Sequence, residues 1–229
     1  MNPATFSRIA SCKEIWNEIL SFYADLASDE YIKYLETYYR ESLKRFGNHW
    51  WYFDIVNVLY TASKLLQPKN YLEIGVRRGR SVCTVAKACP SVDIYAFDLW
   101  VKNYADMDNP GPHLVEQELK KVSHSGKIQF YNGDSHETIP EFFSKNPSLS
   151  FDLITVDGDH SKDGAWKDLQ NVIPRLSLGG IIVFDDISHP SHPYLLSVWK
   201  QALGDFPFLT GFEYTDLGYG VAYAIRKSN

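Results

Sequence analysis

The sequence has little sulfur and no long apolar segment. Among 229 residues there are three cysteines and two methionines. Cys12, Cys83 and Cys89 are odd in number and widely spaced, so we expect neither a disulfide framework nor a zinc site, and we predict a reducing compartment such as the cytoplasm. No stretch approaches the roughly 18 apolar residues of a membrane helix, and the first eight residues do not resemble a secretory signal. We therefore predict no membrane association.

An excess of positive charge is also absent. The 28 acidic residues outnumber the 23 lysines and arginines, which gives a net charge of −5 and argues against general nucleic-acid binding. A composition of 45% hydrophobic and 22% charged residues excludes a disordered chain. The length suits one domain of ordinary size, or one domain with an appendage.

The hydrophobic pattern changes near residue 70. Residues 12–46 and about 51–66 carry apolar residues at helical spacing, which predicts an N-terminal helical region. Five strand-then-helix units follow, and two final strands at 206–214 and 219–225 are expected to form an antiparallel pair. The predicted parallel strands cover residues 71–74, 92–97, 127–131, 151–156 and 180–184. We predict an α/β fold with a doubly wound, mostly parallel, seven-stranded Rossmann-like sheet and an N-terminal helical cap.

Ligand-binding residues of such folds follow the strands. Residues 72–81 read LEIGVRRGRS, with Gly75 and Gly79 in a strand-to-helix turn but Arg77 where a dinucleotide fingerprint needs its second glycine. Glycine at this turn lets the main chain approach a ligand, and the following helix offers N–H groups. A tight turn without a ligand is the alternative.

The next two strand ends also carry acids. Asp98 follows the second strand, 25 positions after Glu73, and suits the ribose hydroxyls of a nucleoside, although it could instead cap a turn. Trp100 could lie against an adenine or cover the sheet edge. Asp134 could bind an adenine amino group or cap the helix that begins near Ser135.

An acidic cluster follows the fourth and fifth strands. Asp157, Asp159 and His160 come after one strand, and Asp185 and Asp186 come after the other. Like charges at such short range are costly unless a cation neutralises them, and Mg²⁺ prefers oxygen ligands. The pattern favours a divalent metal site over a set of helix caps and solvent-exposed acids.

Three motifs carry a resemblance to a known family. Residues 70–226 resemble a class I S-adenosylmethionine-dependent methyltransferase. Residues 72–81, 151–160 and 179–186 resemble the E-x-G-x-x-x-G-x-S, F-D-x-I-x-V-D-x-D-K and G-G-x-x-x-x-D-N motifs of metal-dependent O-methyltransferases of the catechol and caffeoyl-CoA type. The similarity is greatest to bacterial sugar O-methyltransferases of the macrocin and mycinamicin type. These enzymes carry histidine where the catechol enzymes carry a catalytic lysine, and this sequence has His160 at that position.

The resemblance implies an O-methyltransferase that uses S-adenosylmethionine and Mg²⁺ or another divalent cation. It implies Asp157, Asp185 and Asp186 as metal ligands, with His160 as general base and Asp157 also counted as catalytic. The cofactor-binding residues that it implies are Glu73, Gly75, Arg77, Gly79, Ser81, Asp98, Leu99, Gly133, Asp134, Ser135 and Asp157. The aspartate at 186 replaces the asparagine of the catechol enzymes, which should tighten metal binding.

The resemblance also suggests different roles for the two parts of the chain. Residues 1–66 would form a helical cap that shapes the substrate pocket, and residues 67–229 would form the cofactor-binding methyltransferase domain. The acceptor would be a small hydroxylated molecule of sugar, polyketide or phenolic type. The alternatives are a nicotinamide-dependent Rossmann oxidoreductase and a non-catalytic binding protein on the same fold.

Several further residues admit two interpretations. His189 and His192 follow the fifth strand, and we favour a rigid proline-bracketed loop over a pocket role. The arginines between residues 77 and 80 could meet an anion or stay solvated. The tyrosines between residues 23 and 39 are expected in the core or at a subunit contact, and a homodimer or higher homo-oligomer is plausible.

Overall fold

The computed structural model describes residues 2–103 and 108–227. Its central sheet is built from apolar, β-branched and aromatic segments. The strands are β1 (Asn70–Ile74), β2 (Asp93–Asp98), β3 (Ile128–Asn132), β4 (Phe151–Val156), β5 (Leu176–Asp185), β6 (Leu209–Tyr214) and β7 (Val221–Arg226). Within the described residues they form one seven-stranded sheet in the order β3-β2-β1-β4-β5-β7-β6. Strand β7 lies antiparallel between β5 and β6, and the other neighbouring pairs are parallel. The predicted sheet and its final antiparallel pair are confirmed.

Helices cover both faces of the sheet. They are α1 (Pro3–Ala10), α2 (Lys13–Tyr23), α3 (Glu30–Phe46), α4 (Ile55–Leu66), α5 (Arg80–Ala88), α6 (Pro112–Lys121), α7 (Ser135–Lys145), α8 (Lys162–Val172) and α9 (Leu195–Asp205). Helix α1 was not predicted, although Asn2 caps it and Pro3 stands at its first position, which are both start signals. Helix α4 begins four residues later than predicted because Asp54 and Asn57 form a capping box at its start.

The N-terminal helices share a hydrophobic core with one face of the sheet. Phe6 and Ala10 of α1 are fully buried, and the Phe6 ring lies 4.6 Å from that of Tyr223 in β7. The Ser7 and Tyr223 hydroxyls are 2.6 Å apart. Burying such aromatic side chains contributes several kcal/mol of stability in total. The N-terminal region is therefore joined to the sheet by a continuous core. The predicted division assigns residues 1–66 to a helical cap and residues 67–229 to the cofactor-binding domain. Residue 1 and residues 228–229, at the outer ends of these two ranges, lie outside the described residues.

The opposite face is covered by α7, α8 and α9. Trp199 of α9 is fully buried and stacks 5.9 Å from Phe184 of β5. No helix in the described ranges is long and apolar enough to cross a membrane. Because β1 has β2 on one side and β4 on the other, the connections after β1 and β4 run to opposite faces, and the crevice between them is where α/β folds bind ligands.

Candidate functional site

One large cavity, of about 1070 Å³, lies at the carboxyl ends of the strands. The residues that follow β1, β2, β3, β4 and β5 all line it, and residues of the N-terminal helices close it from the other side. This volume matches the upper range of small-molecule pockets. Most of the predicted site residues therefore face a single space.

The turn after β1 brings the main chain of two strands into contact. Gly75 has φ of +87°, and a β carbon on it would overlap the main-chain carbonyl of Asp157 after β4. Gly79 has φ of +73°, and a β carbon there would lie 2.7 Å from Val115 of α6. Both positions require glycine.

Glu73 lies behind the cavity wall. Its carboxyl group is fully buried and accepts hydrogen bonds from the hydroxyls of Tyr71 and Ser81. Burial raises the pKa of Glu73 to about 8, against the lowering effect of these two hydrogen bonds. Ser81 lines the cavity and Glu73 does not, so the structure places Glu73 as the support of Ser81.

Asp98 joins the turns after β1 and β2. One of its carboxylate oxygens accepts the N–H groups of Val76 and Arg77, each at 2.7 Å, and the other accepts the N–H of Trp100. A carboxylate has about four lone-pair positions, so it retains acceptor capacity toward the cavity, which it lines together with the exposed Leu99. The Trp100 ring lies against the β3 edge, where its N–H donates to Asn132 at 2.7 Å.

The turn after β3 serves as a helix cap and as cavity wall. Asp134 accepts the N–H of His136 at 2.8 Å and so caps α7, while Gly133, Asp134 and Ser135 all line the cavity. The Ser135 hydroxyl donates to Asp168 at 2.7 Å. The capping alternative for Asp134 is thus confirmed, and its contact with an adenine stays a prediction.

The acidic cluster converges as expected from the strand order. His160 Nε2 lies 3.2 Å from Asp157 Oδ1 and 3.6 Å from Asp186 Oδ2. One ligand atom from each of these three residues lies within 4.8 Å of the others, a spacing that suits a metal ion. Asp186 has φ of +60°, a strained conformation for a residue other than glycine and a common feature of functional sites.

The acids of this cluster are buried and repel one another, and a positive charge between them would reduce the repulsion. Burial, followed by repulsion from Asp157, raises the pKa of Asp186 to about 7. The pKa of Asp185 is raised well above its usual value by burial and then by Asp186, Asp157 and Asp54. Asp185 lines the same cavity but is not among the three residues whose ligand atoms lie within 4.8 Å, so its predicted role as a ligand stays a prediction.

The loop after β5 reaches the cavity. His189 and His192 both line it, and the His192 ring lies 5.0 Å from that of His160 and 4.9 Å from that of His189. Tyr194 donates a hydrogen bond of 2.8 Å to the main-chain carbonyl of His160. The favoured interpretation of a merely rigid loop was incomplete, because only tertiary structure brings these rings beside β4.

The arginines after β1 meet acids of the N-terminal helices. Arg77 and Arg78 lie 3.5 and 3.7 Å from Asp29, and Arg80 lies 3.8 Å from Glu36. These ion pairs tie the start of α3 to the turn that contains Gly75 and Gly79. The sequence alone is compatible with anion binding or solvation of these arginines, and the structure shows pairing within the chain.

Asp54 and Tyr31 line the cavity although the sequence did not indicate a place for them there. Asp54 precedes α4 and was not singled out, and Tyr31 was counted with the core or contact tyrosines. Tyr23 and Tyr39 are buried as expected for core residues, whereas Tyr34 is 65% exposed.

The family relationship of the chain follows from a match to a protein-family model. A model described as a methyltransferase domain matches residues 72–187, which is just over half of the chain. The chain belongs to this methyltransferase domain family. The matched segment of the methyltransferase domain begins in β1 and ends just after the Asp185–Asp186 pair, so it contains the glycine turn and the acidic cluster.

Individual relatives agree with this assignment. The chain is 31% identical over 124 residues to caffeoyl-CoA O-methyltransferase 1 of Eucalyptus globulus, a match that covers 54% of this chain and 46% of that protein. The chain thus spans about half the length of the curated relatives it matches.

Solved structures share the fold. The Bacillus cereus O-methyltransferase in complex with SAH has a TM-score of 0.60 at 15% identity, covering 82% of this chain and 90% of that one. The O-methyltransferase TomG of Streptomyces achromogenes, solved with SAM, has a TM-score of 0.60 at 17% identity, covering 94% and 99%. At these identities the similarity establishes a Rossmann-like methyltransferase fold.

Gly75→Ala should destabilise the protein by about 3 kcal/mol or more, because the added methyl group meets the main chain at a positive φ. Urea unfolding monitored by circular dichroism measures the change. Gly204→Ala is the matched control, since no atom lies within 4 Å of its β carbon and alanine favours helix α9. Equal stabilities of the two variants would contradict the proposed close approach of the two strands.

Glu73→Gln should flatten the pH dependence of stability. The raised pKa means that the folded state holds a proton that the unfolded chain releases. This stabilising contribution is complete below the usual pKa of 4.5 and is lost as pH rises toward about 8, at a slope of up to about 1.4 kcal/mol per pH unit. The free energy of unfolding of both proteins between these pH values measures it. Identical slopes would show that Glu73 is ionised in the fold.

Proposed function

We propose that this chain is an S-adenosylmethionine-dependent O-methyltransferase that methylates a hydroxyl group of a small molecule with the help of Mg²⁺ or another divalent cation. The observation that carries the proposal is the opening of the glycine turn and the acidic cluster into one cavity. The SAM- and SAH-bound structures of the same fold support the cofactor, and the caffeoyl-CoA O-methyltransferases support transfer to oxygen.

The residues around the cavity fit this cofactor. Gly75 lets the main chain of Asp157 lie directly beside the turn, and Ser81 presents a hydroxyl group held by Glu73. Asp98 retains lone pairs that suit ribose hydroxyls. We propose that these residues act with Arg77, Gly79 and Leu99, and with residues 133–135, to hold the cofactor between β1, β2 and β3.

The acidic cluster fits a divalent cation. Asp157 and Asp186 offer oxygen atoms beside an imidazole nitrogen, and burial followed by the charge of Asp157 raises the pKa of Asp186. We propose Asp157, Asp185 and Asp186 as the ligands. A bound cation would lower the pKa of an acceptor hydroxyl group.

In the proposed reaction His160 removes the proton from the acceptor hydroxyl. Burial lowers the pKa of His160, but the hydrogen bond and the charges of Asp157 and Asp186 outweigh burial, so that the pKa is raised overall. A bond forms between the acceptor oxygen and the methyl carbon of S-adenosylmethionine. The bond between that carbon and the cofactor's sulfur breaks, and its electron pair stays on the sulfur. The cavity walls contribute by holding oxygen and methyl group in line.

The proposal also covers the roles of the two parts of the chain, its compartment and its assembly. We propose that residues 1–66 shape the acceptor pocket and residues 67–229 hold the cofactor, which agrees with the N-terminal residues in the cavity wall. The three cysteines are unpaired, which supports a reducing compartment such as the cytoplasm. A homodimer or higher homo-oligomer stays a prediction.

Calorimetric titration with S-adenosylhomocysteine and with Mg²⁺ tests the function. We expect micromolar binding of S-adenosylhomocysteine and a separate Mg²⁺ signal, and Asp157→Ala should abolish the Mg²⁺ signal while S-adenosylhomocysteine binding persists. NAD is titrated in parallel. Binding of NAD without binding of S-adenosylhomocysteine would contradict the proposal and indicate an oxidoreductase. Binding of neither compound would indicate a non-catalytic protein.

His160→Ala should lower the rate of methyl transfer by roughly 10²- to 10⁴-fold, as expected for loss of a general base. Single-turnover methyl transfer from labelled S-adenosylmethionine measures it. The Mg²⁺ affinity of the variant is determined by the same calorimetry and should stay within about threefold. A large loss of Mg²⁺ affinity would instead make His160 a metal ligand, as its position in the three-residue cluster also permits.

A further inference from the structure

Asp168 is a buried acid that the proposed reaction does not use. It lies in helix α8, is fully buried and does not line the cavity. Its Oδ1 atom accepts the hydroxyl proton of Ser135 at 2.7 Å, and Ser135 does line the cavity. A carboxyl group that is removed from solvent is costly unless donors pair with it. The acid therefore lies directly behind one residue of the proposed cofactor site.

Neighbours on two sides fix the position of Asp168. A β carbon on Gly158, in the turn after β4, would lie 3.1 Å from Asp168 Oδ2. His136 Nε2 lies 3.5 Å from Asp168 Oδ1 and 3.2 Å from the main-chain carbonyl oxygen of Gly164. Because a carbonyl oxygen can only accept, this ring nitrogen carries a proton. These contacts hold the carboxyl group between the start of α7 and the turn after β4.

The ionised form of Asp168 determines the direction of its hydrogen bond with Ser135. Burial raises the pKa of Asp168 to about 6, and the hydrogen bond from Ser135 and the proximity of His136 lower it. The ionised form therefore prevails at pH 8. An ionised carboxylate has no proton to donate, so the contact is a charge-assisted hydrogen bond in which Ser135 is the donor.

This hydrogen bond restricts what Ser135 can offer to a ligand. A serine hydroxyl has one proton and two lone pairs. Because its proton is held by Asp168, the hydroxyl can only accept hydrogen bonds in the cavity. The preceding residue, Asp134, lines the same wall with a carboxylate that likewise accepts. The side chains of these two residues therefore present acceptors and suit a ligand group with N–H donors.

We infer that Asp168 is a positioning residue of the cofactor site that acts through Ser135. By holding the Ser135 proton, it makes the site select a purine with an amino group at C6, as in S-adenosylmethionine, over a purine with a carbonyl oxygen there. The amino group donates to the Ser135 hydroxyl, whereas a carbonyl oxygen would face acceptors and leave them unpaired. The inference rests on the proposed function, because it takes the turn after β3 as the place where the adenine of the cofactor binds.

Two ligands that differ at C6 of the base test the inference. S-adenosylhomocysteine carries an amino group at this carbon, and S-inosylhomocysteine carries an oxygen. Each is titrated calorimetrically into the protein at pH 8, where Asp168 is ionised. We expect the adenosyl compound to bind at least about 10-fold more tightly than the inosyl compound, as one unmatched hydrogen bond would give.

Asp168→Leu should reduce this preference by at least about fivefold, because leucine has nearly the shape of aspartate but no acceptor, so that the Ser135 proton can turn toward a carbonyl oxygen. Ser135→Ala should reduce the preference to a similar extent. Adding Asp168→Leu to Ser135→Ala should then change it by less than about twofold, because the acid acts through the hydroxyl. Asp163→Asn, at an exposed acid of α8 outside the cavity lining, is the matched control and should keep the preference. Thermal melting checks that each variant is folded, and Asp168→Ala serves if leucine is not accommodated.

The outcomes separate this inference from the proposed function. If the wild-type protein does not bind S-adenosylhomocysteine, both are overturned. Where it binds, the inference alone is overturned by any of three results. These are equal binding of the two compounds by the wild-type protein, a wild-type preference in Ser135→Ala or in a folded Asp168 variant, and an effect of Asp168→Leu that is as large with Ser135→Ala as without it.

Discussion

The contact between the main chains of Gly75 and Asp157 is the constraint on which the site depends. Strands β1 and β4 are neighbours, and their continuations approach so closely that no side chain fits at position 75. This approach places the turn that suits a nucleoside cofactor directly beside the acids that suit a cation. A methyl donor and an activated hydroxyl group must meet within bonding distance, and this contact brings the two binding regions that we propose for them together.

The second constraint is electrostatic. Burial, and after it the charges of neighbouring acids, raises the pKa values of Glu73, Asp185 and Asp186. Glu73 is accommodated by hydroxyl donors and acts as a buried structural group. Asp185 and Asp186 line the cavity, where we propose that they hold a cation. Contact with the cavity, which Asp185 and Asp186 have and Glu73 lacks, distinguishes them from this supporting acid.

The N-terminal helices belong to this arrangement. They share the hydrophobic core of one sheet face through Phe6 and Tyr223, and their polar residues enter the cavity. Asp29 pairs with arginines of the cofactor turn, and Asp54 also lines the cavity. The proposed cofactor region and the proposed acceptor region therefore have walls from the same helical layer, and packing of that layer on the sheet sets the shape of both.

Much of the fold follows from local sequence patterns. Alternating strand and helix signals predicted the sheet, because apolar periodicity and turn residues act over short distances. Strand order then made the acids after β4 and β5 neighbours, so Asp157 and Asp186 were recognisable from the sequence. Helix α1 was missed although its asparagine cap and proline were visible.

Other features depended on distant parts of the chain. The pairing of Arg77 with Asp29, the entry of His189 and His192 into the cavity, and the cavity position of Asp54 join segments whose local sequences resemble an exposed turn, a rigid loop and a helix cap. Local patterns determined which elements form and which strand ends carry acids. Only tertiary packing decided which charges share one cavity, because that depends on distances between residues far apart in the sequence.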